Sequence, residues 1–224
     1  QVPSEVEEYK PFILDVELPY FSGNVNDPEN VNVEAFVETP SGRSFSVPFF
    51  CLSNKRSKNR SFWQMRFSPL ETGRYTYSLK VTSRSFNNKT GKKTFISKKS
   101  ENPGFLRRSE NNDHYLRFDS GEAFFGIGHN VGWVYNSSPS VFDRYFSLLS
   151  GSGCNLTRVW MTNWALPLEW KSLGDYNEET GEKLDKILEI ASARGIYIML
   201  CLDTYGSLMT EGGMWKEEYW DENP

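Results

Sequence analysis

The stretch VNVEAFVETPSGRSFSVPFF, residues 31–50, sets the fold of the first half of the chain. Over Val31–Glu38 apolar side chains alternate with polar ones, and only Phe36 interrupts the polar side. Strict alternation over this length predicts a β-strand with one buried face. A turn signal follows at residues 39–42, where Pro and Gly stand together, and residues 44–50 then form the returning strand of a predicted hairpin.

More short strands of the same kind follow this hairpin. Residues 61–67, 73–81 and 92–97 are rich in aromatic and β-branched residues, are separated by turn signals and show no helical period. Short strands at regular spacing indicate two packed antiparallel sheets. We therefore predict an Ig-like or fibronectin-like β-sandwich domain over residues 1–102.

The pattern changes after the sequence Asn102-Pro103-Gly104. A hairpin is predicted at 114–118 and 123–128, followed by a helix at 139–149 that Ser138 can cap, a strand at 154–161, a helix at 182–194 and a strand at 196–202. Alternating strands and helices predict parallel strands joined by right-handed crossovers. We predict that residues 103–224 are the β-α-β-α-β start of an incomplete (β/α)8 TIM barrel.

The composition excludes several classes of function. The chain has 224 residues and a net charge of −4, so it lacks the basic excess of nucleic-acid binding proteins. No apolar run reaches the ~20 residues of a membrane span. The three cysteines stand in apolar strand-like contexts and are predicted to be buried thiols. The seven tryptophans suggest large cores or a ligand with a flat apolar face, such as a sugar ring.

The candidate binding residues lie where the predicted parallel strands end, because ligands of parallel α/β folds bind at the carboxyl ends of the strands. Hydrogen-bonding and aromatic side chains are concentrated there, as a polyhydroxylated ligand requires. The predicted substrate-binding residues are His129, Asn130, Trp133, Arg158, Trp160, Asn163, Trp164, Asp203 and Tyr205.

Each of these residues also has a structural interpretation, which the sequence leaves open. Arg158 can pair with a buried carboxylate, and Trp160 can pack against the helix layer. His129 can be a structural histidine, and Asp203 can cap a loop. The convergence of three strand ends on one edge carries the prediction, and no single residue does.

Other chemistries are disfavoured by spacing. Gly126, Gly128 and Gly132 are one residue too far apart for the dinucleotide fingerprint. The two histidines have no metal-ligand spacing, and neither a phosphate loop nor a nucleophile elbow is present, so no metal or cofactor is predicted. Glu169 stands between Leu168 and Trp170 in a polar loop, where a solvated carboxylate is favoured over a catalytic one.

Several motifs of the second half resemble the opening of the barrel in retaining, clan-A-like bacterial glycoside hydrolases. They are FGIGHNVGW at 125–133, NLTRVW at 155–160, LEW at 168–170, LDKIL at 184–188 and GIYIMLCLD at 195–203. The first half, with VPFF at 47–50 and FSPLETGRY at 67–75, resembles the sandwich domain of unknown function that precedes such barrels.

The resemblance implies a glycosidase that cleaves an oligo- or polysaccharide with two carboxylates, both expected beyond Pro224, so that this segment alone is inactive. Arg158 matches the arginine that steadies the nucleophile in such enzymes, whereas Asp203 and Tyr205 fall where relatives often have a histidine. The resemblance also implies an extracellular, periplasmic or cell-surface location, with no signal peptide in this sequence, and self-association through uncovered barrel edges. The alternatives are a non-catalytic carbohydrate-binding scaffold with a degenerate barrel and a complete small α/β domain.

Overall fold

The computed structural model describes residues 2–84, 86–169 and 174–202. The chain divides into two compact units, Gln1–Phe125 and Gly126–Pro224. Residue 102, the boundary expected from the sequence, lies inside the first unit, and that expectation stays a prediction.

The first unit consists of strands. In chain order they are β1 (Glu5–Glu7), β2 (Phe12–Pro19), β3 (Val31–Glu38), β4 (Ser44–Pro48), β5 (Phe50–Lys55), β6 (Arg60–Phe67), β7 (Gly73–Ser83), β8 (Asn87–Lys89), β9 (Lys93–Lys98), β10 (Leu106–Arg108), β11 (Leu116–Phe118) and β12 (Ala123–Phe124). One sheet has the order β1-β9-β7-β3-β4, with β8 beside β7, and a second has the order β2-β6-β5. The strands β10-β11-β12 form a small antiparallel sheet of their own.

The two larger sheets share one hydrophobic core. The alternation of β3 places Val33 and Val37 inside and leaves Phe36 on the outer face. Phe12 of β2 stacks on Phe95 of β9, with 4.0 Å between ring centroids, and so joins the two sheets. This arrangement is a β-sandwich, because each sheet buries one face against the other.

A polar cluster fixes the turn between β3 and β4. The Glu71 carboxylate pairs with Arg43 and accepts hydrogen bonds from the Ser41 backbone N–H at 3.0 Å and the Ser41 hydroxyl at 2.9 Å. Its own backbone N–H donates to the Tyr75 hydroxyl at 3.0 Å. The hydrogen bond from Arg43, together with those from Ser41, lowers the pKa of Glu71 to about 2 despite the opposing effect of burial.

This lowered pKa predicts a pH-dependent stability. The Glu71 carboxylate stabilises the folded chain fully above its ordinary pKa of about 4.5, and the contribution disappears as the pH falls towards 2. We expect Glu71→Gln to lower the free energy of unfolding by roughly 1 kcal/mol at pH 7, because the cluster lies near the surface, and by nothing measurable at pH 2. Urea unfolding at both pH values measures this. Glu29→Gln, at an exposed loop position, is the control. A loss of unfolding free energy in Glu71→Gln that is equal at both pH values would contradict the prediction.

The second unit is a small α/β sheet. Its elements are β13 (Gly128–Gly132), α1 (Pro139–Gly151), β14 (Leu156–Trp160), α2 (Glu178–Ala193) and β15 (Tyr197–Cys201). The three strands pair in parallel in the order β13-β14-β15. Helix α2 starts where the Asn177 side chain accepts a hydrogen bond from the Thr180 N–H, and α1 has Pro139 in its first turn without a capping bond from the predicted Ser138.

One face of this sheet is buried under the helices. Phe142 and Phe146 of α1 and Ile187 of α2 pack with Val159 of β14 in one cluster. Arg158 lies on the opposite face of β14, and its side chain is exposed. The alternation of β14 therefore separates a core face from an open face, as the period of a strand requires.

Gly128 is fixed by the close approach of two backbones. A Cβ atom at this position would lie 1.6 Å from the carbonyl oxygen of Leu156 on the neighbouring strand. Gly132, at the end of the same strand, has a left-handed φ of 68°. Both glycines thus have a structural reason.

The predicted start of a (β/α)8 barrel is wrong. Strands predominate in the described part of the chain, which contains several separate sheets and two α-helices, and no barrel start is evident. Residues expected to open the barrel, from 103 to 125, instead carry the antiparallel strands β10, β11 and β12 of the first unit. The physical reason is that a β-α-β alternation specifies only parallel neighbouring strands, which any small open sheet also provides.

Candidate carbohydrate-binding edge

The candidate site is the edge of the second unit at which its parallel strands end. Strands β13, β14 and β15 end at Gly132, Trp160 and Cys201, and their parallel register brings these ends to the same edge. Open parallel sheets bind ligands at this edge. The predicted site residues fall into separate groups around it.

Arg158 lies on the open face of the sheet. Its guanidinium carbon is 5.5 Å from the centroid of the Trp160 ring, two residues further along the strand, and its Nε donates to the Cys201 Sγ at 2.9 Å. Asn130 and Met199 stand beside it in register on the two neighbouring strands. Among the described residues no carboxylate forms an ion pair with Arg158, so the structure gives no support to its interpretation as the partner of a buried acid.

Two tryptophans form an exposed pair after the strand ends. Trp133, just beyond β13, and Trp164, in the loop after β14, meet edge to face with 5.9 Å between ring centroids and an angle of 87°. Their exposed fractions are 45% and 42%. Half-exposed aromatic rings in a fixed arrangement offer apolar surface to a ligand while their indole N–H groups remain available as donors.

Unpaired polar atoms lie at the end of β14 and just beyond it. Trp160 Nε1, Thr162 Oγ1 and Asn163 Oδ1 are buried, and none has a hydrogen-bond partner in the described part of the chain. Thr162 itself is only 1% exposed. Because buried polar groups are normally paired, three unpaired ones in four residues indicate a place where a ligand or ordered water completes the hydrogen bonds. Sequence reasoning missed Thr162, although its position between Met161 and Asn163 pointed to the same strand end.

His129, Asn130 and Trp133 contribute to a cleft of about 410 Å³ between β13 and α1. Tyr145 and Leu148 line its other side. The backbone carbonyl of His129 accepts a hydrogen bond from the Thr157 hydroxyl at 2.8 Å, which ties β13 to β14. The structure thus brings three predicted residues together here, while Arg158 lies on the open face, away from α1.

The remaining candidates have other surroundings. Asp203 and Tyr205 lie outside the described residues. One carboxylate oxygen of Glu169 accepts a hydrogen bond from the Gly174 N–H at 2.5 Å, and Glu169 pairs with Tyr176 in an isolated bridge. Burial, and secondly the charge of Glu169, raises the pKa of Tyr176. Glu169 therefore serves to close its own loop.

Two features are absent from the described residues. These residues contain no group of three or more His, Cys, Asp or Glu side chains placed to hold a metal ion. Within the same part of the chain, no helix has the length and apolar character needed to cross a membrane.

The fold and this edge together define a β-sandwich unit followed by a parallel α/β unit, and this combination has a known structural counterpart. The family described as a domain of unknown function, DUF5060, matches residues 5–82, within the sandwich. A crystal structure of a protein proposed to be a glycoside hydrolase, from Bacteroides vulgatus, has a similar fold, with a TM-score of 0.69 at 15% identity. The similarity covers 93% of this chain and 45% of that one, so this chain spans less than half of that protein.

Further solved structures resemble the chain too weakly to carry an argument. A family 39 glycoside hydrolase from Bacteroides cellulosilyticus matches 89% of this chain and 32% of its own length at 12% identity, with a TM-score of 0.26. A cycloalternan-forming enzyme from Listeria monocytogenes matches 42% of this chain and 8% of its own length at 16% identity, with a TM-score of 0.34. No curated protein matches the sequence.

Proposed function

We propose that the chain belongs to a protein related to glycoside hydrolases and that the carboxyl edge of its parallel sheet binds a neutral carbohydrate. The observation that carries the proposal is the exposed Trp133–Trp164 pair, together with the unpaired polar atoms of Trp160, Thr162 and Asn163 at the end of β14 and just beyond it. The fold shared with the Bacteroides vulgatus protein supports the same class.

The chemistry of a sugar suits the two kinds of group at this edge. The C–H face of a pyranose is apolar and can stack on an indole ring, while its hydroxyls both donate and accept hydrogen bonds. Trp160 Nε1 can only donate, Asn163 Oδ1 can only accept, and the Thr162 hydroxyl can do both. A ligand with hydroxyls at several positions can therefore form hydrogen bonds with both the donor and the acceptor groups at this edge.

Catalysis is proposed to need groups from outside the chain. A retaining glycosidase uses two carboxylates about 5 Å apart, one as nucleophile and one as acid and base. Glu169 is engaged in its own loop and no second carboxylate was predicted to act with it. We propose that a longer protein supplies both groups and that this chain contributes to substrate binding. Its location outside the cytoplasm and its self-association stay predictions.

Binding is tested with the 224-residue chain and neutral tetrasaccharides of β-1,4-linked glucose, mannose, xylose and galactose. We expect at least one to bind, and we expect Trp133→Ala combined with Trp164→Ala to raise its Kd at least tenfold, because the two substitutions remove apolar contact surface whose burial is worth about 25 cal/mol per Å². Titration calorimetry measures both values, with thermal melting to confirm the fold of the variant.

The controls separate stacking from general damage. The pair Trp133→Phe and Trp164→Phe keeps aromatic rings and should retain most of the affinity, and Tyr115→Ala removes an exposed ring from the first unit. Unchanged affinity in the double alanine variant, or no binding of any tetrasaccharide, would refute the proposed site. Release of reducing ends from the matching polysaccharides by this chain alone would refute the statement that the catalytic groups lie elsewhere.

A further inference from the structure

The outer face of the β2-β6-β5 sheet carries an exposed apolar surface that the proposed function does not use. Phe50, Leu52 and Phe62 on β5 and β6, and Ile13 on β2, are each between 37% and 43% exposed. Their neighbours in the same strands, such as Trp63 and Met65, point into the sandwich core. Phe50, Leu52 and Phe62 lie on the paired strands β5 and β6, and exposed apolar side chains that cluster on one face mark candidate binding surfaces.

Polar side chains on the same face are already held in place by one another. Gln64 donates from Nε2 to the Asp15 Oδ1 at 2.7 Å and accepts a hydrogen bond from the Arg66 Nε through its own Oε1. The Arg66 guanidinium also lies over the Phe50 ring, at 5.2 Å from its centroid. A linked set of side chains loses little conformational freedom when a ligand binds, which favours binding.

Most charged groups of this face are paired with one another. Arg60 pairs with Glu17 at 3.0 Å, and Asp15 and Arg66 are connected through Gln64. These two pairs engage four of the charged groups with one another, and Lys55, opposite Arg60 in register, adds one exposed positive charge at the end of the face. Because the charged groups in the middle of the face already have partners, this part of the face suits a neutral ligand that both donates and accepts hydrogen bonds.

We infer that the outer face of β2, β5 and β6 is a second carbohydrate-binding surface, separate from the edge of the parallel sheet, and that it takes a neutral polysaccharide chain. The Phe50 and Phe62 rings would contact the apolar faces of sugar units, and the Asp15, Gln64 and Arg66 groups would bond their hydroxyls. Strand β6 has eight residues, so the face extends for roughly 26 Å along the strands. Such a surface suits an extended polymer better than a single small molecule.

A second copy of the chain is a poorer occupant. Stacking two such faces would place them about 10 Å apart and would remove Asp15, Glu17, Arg60 and Arg66 from water. Burying charged pairs carries a desolvation penalty that their attraction repays only in favourable geometry. A polysaccharide leaves these groups partly hydrated, because it covers the face with a single layer of sugar rings.

Affinity electrophoresis of the whole chain tests the inference. The gels contain galactomannan, xyloglucan or xylan as neutral probes, or polygalacturonate as an acidic one. We expect at least one neutral probe to retard the chain, equally at low and high salt. We expect Phe50→Ala combined with Phe62→Ala to raise the dissociation constant derived from the retardation at least tenfold. Phe36→Ala is the matched control, because Phe36 is 40% exposed on the outer face of the other sheet, with the Lys89 Nζ 5.8 Å from its ring centroid.

The remaining outcomes decide between the two surfaces. Phe50→Tyr with Phe62→Tyr keeps the rings and should keep the retardation, so a folding defect of the alanine variant leaves the test intact. Loss of retardation in the Trp133→Ala and Trp164→Ala variant alone would assign all binding to the second unit and overturn the inference. No retardation by any neutral probe, retardation by polygalacturonate only, or a dimer that dissociates on Phe50→Ala and Phe62→Ala would overturn it as well.

Discussion

Gly128→Ala is expected to unfold the second unit. The added Cβ would lie 1.6 Å from the Leu156 carbonyl oxygen, where no atom can be accommodated unless the two strands separate. Because the backbone fixes the position of the Cβ and its partner is a backbone carbonyl, no side-chain rotation relieves the clash, and β13 loses its pairing with β14. We expect a loss of more than about 3 kcal/mol in the free energy of unfolding, beyond the usual range of single substitutions. Urea unfolding followed by far-UV circular dichroism measures it.

Gly151→Ala is the matched control for this substitution. Gly151 is the last residue of α1, and a Cβ there meets no atom within 4 Å. Alanine is the better helix former, so we expect no loss of stability and a gain of up to about 1 kcal/mol. A Gly128→Ala variant that unfolds at the same urea concentration as the unchanged chain would show that β13 and β14 do not approach as described.

Trp63→Ala is expected to have the second large effect, in the sandwich. Trp63 is 2% exposed, its Nε1 donates to the Ser61 hydroxyl at 2.8 Å, and that hydroxyl donates to the Pro19 carbonyl at 2.6 Å. The substitution removes a large buried ring and breaks a chain of hydrogen bonds between β6 and β2. Truncation of a buried tryptophan typically lowers the free energy of unfolding by about 3–5 kcal/mol. Thermal and urea unfolding of the whole chain measure the loss.

The neighbouring residue provides the control. Phe62 points to the opposite face of β6 and is 38% exposed, so Phe62→Ala should change the free energy of unfolding by less than about 1 kcal/mol. Equal losses from Trp63→Ala and Phe62→Ala would contradict the assignment of the two faces of this sheet. The same result would also remove the basis of the proposed carbohydrate surface on the outer face.

The sandwich strands were predictable because their burial has a period of two. The alternation over Val31–Glu38 identified the buried face, including the exposed Phe36, and the helices of the second unit followed from their apolar spacing. Strand β2 was not predicted, although Phe12 and Leu14 alternate, because its second half is only partly buried and ends in Pro19. Local sequence therefore describes strands well where one face is fully buried.

The arrangement of strands in the second unit could not be predicted from the sequence. Alternating strands and helices gave parallel pairing, but nothing in residues 128–202 determines how many strands a sheet contains, and the expected barrel start was wrong. The 1.6 Å approach at Gly128 arises between strands 28 residues apart, so the glycine pattern alone gave no sign of it. Tertiary contacts of this kind are invisible to local patterns.

The sequence predicted the edge at which the candidate site lies, but not which of its residues lie together. Parallel strands fix a common edge, and the residues after Gly132 and Trp160 lie at it, but their role in binding stays a prediction. The division into a cleft beside α1 and an open face with Arg158 depends on strand register, which sequence does not supply. Thr162 was missed because a threonine has no distinctive spacing, and only its burial without a partner makes it notable.

The most direct test of the proposed carbohydrate site is nuclear magnetic resonance of the indole N–H groups. The chain has seven tryptophans, each with one Nε1–H signal, and Trp→Phe variants assign them. Titration with the β-1,4-linked tetrasaccharides is expected to shift the signals of Trp133, Trp160 and Trp164 progressively, while Trp63, bonded to Ser61 in the sandwich core, stays in place. Signals of Trp133 and Trp164 that do not move with any tetrasaccharide, or that move only together with Trp63, would contradict a carbohydrate site at the carboxyl edge of this sheet.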